Sequence, residues 1–384
     1  MDFKTGLISA IISFTTVING NGQPSFVSQV IDSSIKIGYG LALADVDGDG
    51  RTDILLADSK QFVWYRNGDW KKFLMAENLT GHDNVCIAAR DIDGDGKAEV
   101  AVGAQWNPGE TSDDKQSGAA FYLVRPKDPT QLWKSVELHH EPTIHRMQWV
   151  KSASGKFYLV IVPLHGRGNK NGEGVGSKII AYHYTGKPDG MWTIDTIEGD
   201  MHLTHNFFRI EEKNGYNLYV AGKEGIVHLQ ENDKKIIRKN LSLPGMNHGA
   251  GEIVIGKGPD SKNFIAAIEP MHGNELTVYI NDYTQRALLD SSLKEGHALG
   301  AADFLHLGYD QVLAGWRYPD KQGNVGIKLF IPKDKTGNTW ELYWIDYNGM
   351  ACEDLKIADL NGDGKPDIVA SGRATHNVKI YWSR

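Results

Sequence analysis

Cysteine is scarce, with only Cys86 and Cys352 in 384 residues. A small secreted scaffold stapled by several disulfides is therefore excluded. One bond or two free thiols remain open, and the free state is favoured because small buried thiols are common in cores. No run of about 18 apolar residues occurs, so no membrane span is expected. Nor is there a dense Lys/Arg run. With 41 basic against 48 acidic residues the formal charge is −7, which argues against a nucleic-acid partner. Helical periodicity is not sustained anywhere beyond the first residues. Both a G-x-S-x-G nucleophile elbow and a G-x-x-x-x-G-K-S/T phosphate loop are missing.

What is present is ordinary globular composition, 41% hydrophobic and 23% charged, with an excess of glycine, 43 residues, that points to many turns. The chain begins with Lys4 followed by the apolar GLISAIISF, which resembles a short secretory signal. The polar ending TTVINGNGQ lacks a clean small-residue cleavage site. Residues 1–22 are expected to be a leader, and the protein to be secreted or periplasmic.

Glycine marks internal repeats. ALADVDGDGRTDILLAD from Ala42, AARDIDGDGKAEVAVGA from Ala88 and KIADLNGDGKPDIVASG from Lys356 each read as strand, acidic glycine loop, strand. A worn copy, GAADFLHLGYDQVLAGW, begins at Gly300, and HRMQWV, HNFFRI and GEIVIG supply three further first strands without the loop. First strands near 42, 88, 146, 206, 252, 300 and 356 are 46 to 60 residues apart, the period of one four-stranded propeller blade. Third strands such as FVWYR, FYLVR and VKIYW, and fourth strands such as WKSVEL and WELYWI, are rich in β-branched and aromatic residues. The last repeat stops after its third strand, while SFVSQVI from Ser25 is a strand without a blade. Pairing the two closes the ring and removes both free edges. The expected fold is all-β: one seven-bladed β-propeller over residues 23–384, with the N-terminal strand completing the last blade.

Asp45, Asp47, Asp49 and Asp53 occupy positions 1, 3, 5 and 9 of their loop, as do Asp91, Asp93, Asp95 and Glu99, and Asp359, Asn361, Asp363 and Asp367. Alternate oxygens around a glycine turn can wrap a hard cation. The position-12 glutamate of an EF-hand is absent, since Leu56 stands there. The same spacing also serves a tight turn whose aspartates bond the backbone. Calcium with a structural role, in at least one loop, is the expectation. These loops resemble those of integrin-type propeller repeats.

Propeller geometry puts the acidic loops, which join first to second strands, on one face. The opposite face carries the connections between blades and those from second to third strands, and ten of the fourteen histidines fall there. Connections between blades hold His82, His140, His145, His202, His205, His248 and His297. The others hold Trp106, His165 with Arg167 and Lys170, Lys223, His272, Trp316 with Arg317, and Arg373 with His376. A single such histidine more often just bonds a neighbouring loop; independent scatter does not choose one rim so consistently. Imidazole, guanidinium and indole around a shallow axial pocket suit an anionic sugar, because aromatics pack on sugar faces and arginine forks bind carboxylates. Zinc is the competing use of clustered histidines. His202 and His205 have a helical i, i+3 spacing but open a strand, so zinc is disfavoured. HGRGNKNGEG from His165 precedes no helix and is better taken as a mobile substrate loop than a phosphate cradle.

HEPTIHRMQW (140–149), VPLHGRGNKNGEG (162–174), DMHLTHN (200–206), EPMHGN (269–274) and MACEDLKIADLNGDG (350–364) resemble a family of seven-bladed propeller enzymes. These act on the terminal L-rhamnose-α-1,4-D-glucuronate linkage of plant arabinogalactan and gum arabic side chains. The resemblance implies either a lyase, eliminating across glucuronate C4–C5 from the histidine-rich face, or an α-L-rhamnosidase that hydrolyses the bond on the opposite face with one histidine. The three acidic loops contain no histidine, and only His306 falls in such a connection, which favours the lyase. Elimination needs the uronate carboxylate neutralised and a base near neutral pKa. Arg167 is the expected clamp, with Arg317 as substitute. His145 and His205 are the leading bases, followed by His82, His165 and His272. Trp106, Lys170, Lys223, His297, Trp316, Arg317, Arg373 and His376 are the expected substrate contacts. A non-catalytic carbohydrate-binding propeller is the remaining class. A monomer is expected.

Overall fold

The structure, a computed structural model, describes residues 24–232 and 235–384. The expected leader lies outside them. Among the described residues there are 28 strands in seven four-stranded antiparallel sheets. Six are consecutive meanders, and the seventh joins the first strand of the chain to the last three. The result is a seven-bladed propeller. No helix of the described residues is long and apolar enough to cross a membrane.

The inner strands of blades 1 to 7 are Gly40–Ala44, Cys86–Arg90, Ile144–Lys151, Thr204–Glu212, Glu252–Lys257, Gly296–Ala302 and Cys352–Ala358. Several are rich in small residues (GLALA, GHALGAA), which lets seven strands converge on one axis. Second and third strands are almost wholly buried, and their residues pack face to face between neighbouring blades. The approach is close: a Cβ on Gly103 would stand 2.5 Å from Cys86 Sγ, and one on Gly315 2.7 Å from Cys352 Sγ. Both cysteines are buried and unpaired.

Ring closure follows the expected pairing. The strand Phe26–Asp32 runs antiparallel to Asn377–Ser383, with Phe26 opposite Ser383 and Lys379 opposite Val30. At its end the Asp32 carboxylate accepts hydrogen bonds from the Tyr65 hydroxyl (2.7 Å) and Lys72 Nζ (2.8 Å) of blade 1. The closing strand is thus tied to the blades on both sides of the seam. Nearby, Asp58 accepts from the backbone N–H groups of Lys36, Ile37 and Gly38, fixing the entry into the first inner strand.

Candidate functional site

The acidic loops turn on their own first aspartate. Asp45 accepts from the N–H groups of Gly48 and Gly50, Asp91 from Gly94 and Gly96, and Asp359 from Gly362 and Gly364. All six glycines have positive φ, the left-handed region that only glycine enters freely. Carboxylate oxygens of Asp45, Asp47 and Asp53 lie within 4.8 Å of one another, and those of Asp91, Asp93 and Glu99 do likewise. Burial pushes Asp53 and Glu99 up to about 7. Such all-oxygen sets fit a hard cation. Asp49 is committed to Arg51 instead, and Asp95 to Arg125. In the third loop Asp363 accepts from the side chain of Asn361 (3.2 Å), and Asp367 accepts from the N–H groups of Leu360 and Ser383.

On the opposite face four histidines meet at the axis. His145, His205 and His297 each stand second in their inner strands, in blades 3, 4 and 6, and His272 joins them from a loop of blade 5 with a positive φ of 52°. Ring centroids of His205 are 4.6 Å from those of His145 and His272 and 5.1 Å from that of His297. The strand histidines share one device. His145 Nδ1–H donates to the carbonyl of His205 (2.9 Å), His205 Nδ1–H to that of Gly251 (3.0 Å) and His297 Nδ1–H to that of Glu353 (2.6 Å). Each ring thus bonds the next blade through Nδ1, which fixes its tautomer and leaves Nε2 as a lone pair. Burial, with Arg146 and Arg317 nearby, holds His145, His205 and His297 well below the ordinary imidazole range. Burial and the charges of its neighbours lower His272 to about 2. The cluster is neutral at physiological pH.

Two of the expected bases are not equivalent to the others. His145 Nε2 accepts from Arg146 (2.9 Å), so both of its ring nitrogens are taken, and Trp106 stacks on the ring at 5.0 Å. His205 Nε2 faces His272 Nε2 at 2.7 Å, and its side chain is fully buried. Only His272 carries the cluster toward solvent, with its side chain 31% exposed.

A chain of ion pairs borders the cluster. Arg317 donates to both oxygens of Glu353 (3.0 and 3.2 Å) and to Glu295 (2.9 Å), and Arg373 donates to Glu353 (3.0 Å). Glu295 Oε2 in turn lies 3.7 Å from His272 Nδ1. Arg373 sits over the ring of Tyr39, whose hydroxyl donates to Asp83, and Asp83 pairs through its backbone with Trp106. Behind the histidines an axial cavity of about 490 Å³ runs between the inner strands, past Arg146, Asn206, Glu252, Asp354 and Lys356. Burial pushes Glu252 up to about 7.

The remaining expected residues are placed apart from this cluster. Each nitrogen of the Arg167 guanidinium already donates one bond, to Glu141 (3.0 Å), to Asp114 (3.1 Å) and to the carbonyl of Ser112 (3.0 Å). Its charge is thus already shared by two carboxylates of the protein. Trp316 is completely buried, with its indole N–H on the carbonyl of Asn324 and Lys328 over its ring, so it packs in the core rather than facing a ligand. His165 is half-buried beside Thr143, and its Nδ1 has no partner. His82, Lys170, Lys223 and His376 are exposed, and His376 bonds the carbonyl of Lys36. Glu295, Glu353, Arg146, Tyr39 and Asp83 were not among the expected site residues.

A family model for the β-propeller domain of aldos-2-ulose dehydratase matches residues 117–282. Models for an FG-GAP-like repeat and an FG-GAP repeat match residues 45–102 and 87–123. The chain is a β-propeller, similar over residues 45–123 to FG-GAP repeats and in its middle blades to the propeller domain of that dehydratase. No curated protein matches the sequence. Among solved structures, a chain of the mitotic checkpoint complex superposes with a TM-score of 0.59 at 10% identity, over 99% of this chain and 98% of that one. BBS1N in complex with ARL6DN, soaked with mercury, superposes at 0.56 and 12% identity, over 93% of this chain and 95% of that one. At such identities the likeness is one of fold alone.

Proposed function

We propose that this protein is a carbohydrate lyase that removes a proton next to a carboxylate and expels the oxygen substituent one carbon further on. The observation that carries the reading is the neutral histidine cluster at the axis, bordered by Arg317 and Arg373. The match to a dehydratase propeller domain supports it, because a dehydratase expels water by the same kind of elimination. The loop phrases at 140–149, 162–174 and 269–274 support a terminal rhamnose-α-1,4-glucuronate as substrate.

In this reaction a base takes the C5 proton of the glucuronate, the electron pair forms the C4–C5 double bond, and the C4–O bond breaks. The departing oxygen leaves with rhamnose and takes up a proton. Charge that builds on the carboxylate must be met by fixed cations. Arg373 fits this task better than Arg167, since only its Nη1 is bonded to a carboxylate. Of the histidines expected as bases, His82 is exposed at the rim and His272 is partly exposed in the cluster, and the proton acceptor is drawn from these. We further propose calcium in the loops of Asp45, Asp47 and Asp53 and of Asp91, Asp93 and Glu99, where it would brace the turns of the far face.

Incubation with a rhamnose-capped glucuronate oligosaccharide tests the reading. Ultraviolet absorbance from an unsaturated uronate, together with free rhamnose, is the expected result. Rhamnose with a saturated uronate would indicate a hydrolase, and binding without turnover a lectin-like module.

A further inference from the structure

We propose that blade 6 carries a second carbohydrate-contact surface, an aromatic stripe of Tyr318, Trp344 and Tyr347 that holds the glycan chain beyond the sugar bound at the axis. Among the described residues these three are the exposed large aromatics, at 47%, 37% and 60%, and all of them belong to one blade. Exposed aliphatic residues are scattered instead, with Ile194 on blade 3, Ile237 on blade 4 and Leu288 on blade 5. Gathered apolar exposure marks a contact surface, whereas single exposed residues do not. An outer strand is also a free edge, which proteins usually blunt with charge. The outer strand of blade 4, Lys235–Asn240, reads KIIRKN, but that of blade 6, Trp340–Tyr347, reads WELYWIDY.

The rings are held in place from behind. Trp344 meets Tyr347 edge to face, with centroids 4.8 Å apart and planes at 84°, so the two form a corner. Beneath Trp344 lie the buried Trp316, at 5.5 Å, and Lys328 Nζ, 4.9 Å from the ring. Lys328 is fixed in turn by Asp290 (2.7 Å) and Ser292 (3.0 Å), at the end of blade 5. A platform ordered in this way loses little side-chain freedom on binding. Trp316, which faces no ligand itself, supports one that does.

The stripe is continuous with the axial cluster. Tyr318 follows Arg317, whose guanidinium lies 5.9 Å from its ring and pairs with Glu295 and Glu353 beside the histidines. The connection that begins with these two residues, 317–325, ends against the outer strand. There the N–H of Val325 donates to Asn348 Oδ1 (2.9 Å), and Gly326 stands opposite Tyr347. The aromatics thus lead from the edge of the cluster to the rim of blade 6. Lys321, Gln322 and Asn348 beside them are exposed and polar. A pyranose has an apolar C–H face and a rim of hydroxyls, which suits rings flanked by hydrogen-bonding groups. That the occupant is a sugar chain rests on the carbohydrate reading above. With the terminal disaccharide at the axis, the rest of the polymer has to leave across one blade, and blade 6 is the one that offers it rings.

The test compares the full-length protein with Trp344→Ala/Tyr347→Ala and with Tyr318→Ala on two probes, gum arabic polysaccharide and a rhamnose-capped glucuronate disaccharide too short to reach the rim. The double variant should bind the polysaccharide about tenfold more weakly in affinity electrophoresis, the size expected for lost ring contacts. Its KM on the polysaccharide should rise by a similar factor, while its kcat and its constants on the disaccharide stay unchanged. Ile237→Ala, on the outer strand of blade 4, should alter neither. Tyr347→Ala alone keeps the test valid if loss of Trp344 unfolds the blade, because Tyr347 is the most exposed of the three. Equal polysaccharide binding by wild type and variants would overturn the stripe. So would a wild-type dimer in sedimentation that the double variant dissociates, since the rings would then serve a second copy of the chain. Polysaccharide binding that depends on the stripe, in a protein that performs no elimination, would leave the stripe standing and sink the lyase reading. Elimination with an indifferent stripe would do the reverse.

Discussion

Replacing Glu353 with glutamine probes the ion-pair chain beside the histidines. The Glu353 side chain is 1% exposed and is shared by Arg317, itself only 11% exposed, and by Arg373. Breaking a buried pair by removing one partner typically costs about 3–5 kcal/mol, because the other charge is left uncompensated. Here Arg317 keeps Glu295 and Arg373 is partly in water, so the expected loss is nearer 2–3 kcal/mol. The backbone carbonyl that fixes His297 is unaffected by the substitution. Urea unfolding at pH 7 reads the change as a lower midpoint with the same slope. The double variant Glu353→Gln with Arg317→Met should recover about 1 kcal/mol or more relative to additivity, since the stranded charge is gone. Turnover should fall with Glu353→Gln, because Arg373 loses the carboxylate that orients it. A stability change below about 0.5 kcal/mol, the size of an ordinary surface substitution, together with strict additivity in the double variant, would refute this account of the network.

Three further outcomes are expected. Burial alone would raise the Asp32 carboxyl, but the bonds from Lys72, Tyr65 and Ser34 outweigh it and hold it at about 2, below its ordinary 3.8. A depressed carboxylate stabilises the fold above its unfolded pKa and loses that contribution as pH falls through the folded value. Asp32→Asn should therefore cost about 1 kcal/mol at pH 7 after allowance for solvent, with the gap closing between about pH 4 and 2 in denaturant titrations. Calcium chelation should lower the melting temperature, and Asp45→Asn with Asp91→Asn should remove that sensitivity; melting unchanged by chelator would count against calcium. Gly103→Ala should destabilise by about 1–3 kcal/mol through collision with Cys86 and Ile144, and Cys86→Ala should restore part of it.

The architecture was legible because it repeats. Three acidic glycine loops mark the turn after a first strand, and spacing then locates the four inner strands that lack a full copy. SFVSQVI could be assigned to the last blade because a closed ring has no place for a free edge. The site was legible only as a face. Sequence placed His145, His205, His272 and His297 on it, but not their relations, which depend on neighbouring blades. His145 loses its second nitrogen to the adjacent Arg146, a contact that no spacing rule reveals. Trp316 ends a second strand, and whether its indole faces the core or the loop is decided by the packing of Lys328 and Asn324. Glu353 lay within a quoted phrase, MACEDLKIADLNGDG, without a periodic signal to single it out. Its importance comes from two arginines 36 and 20 residues away in sequence.

The most direct measurement is the fate of the glucuronate when a rhamnose-capped oligosaccharide meets the protein. Elimination predicts rising ultraviolet absorbance in step with released rhamnose, abolished by Arg373→Met while the fold is retained. Rhamnose released with a saturated uronate, at a rate indifferent to Arg373, would contradict the account.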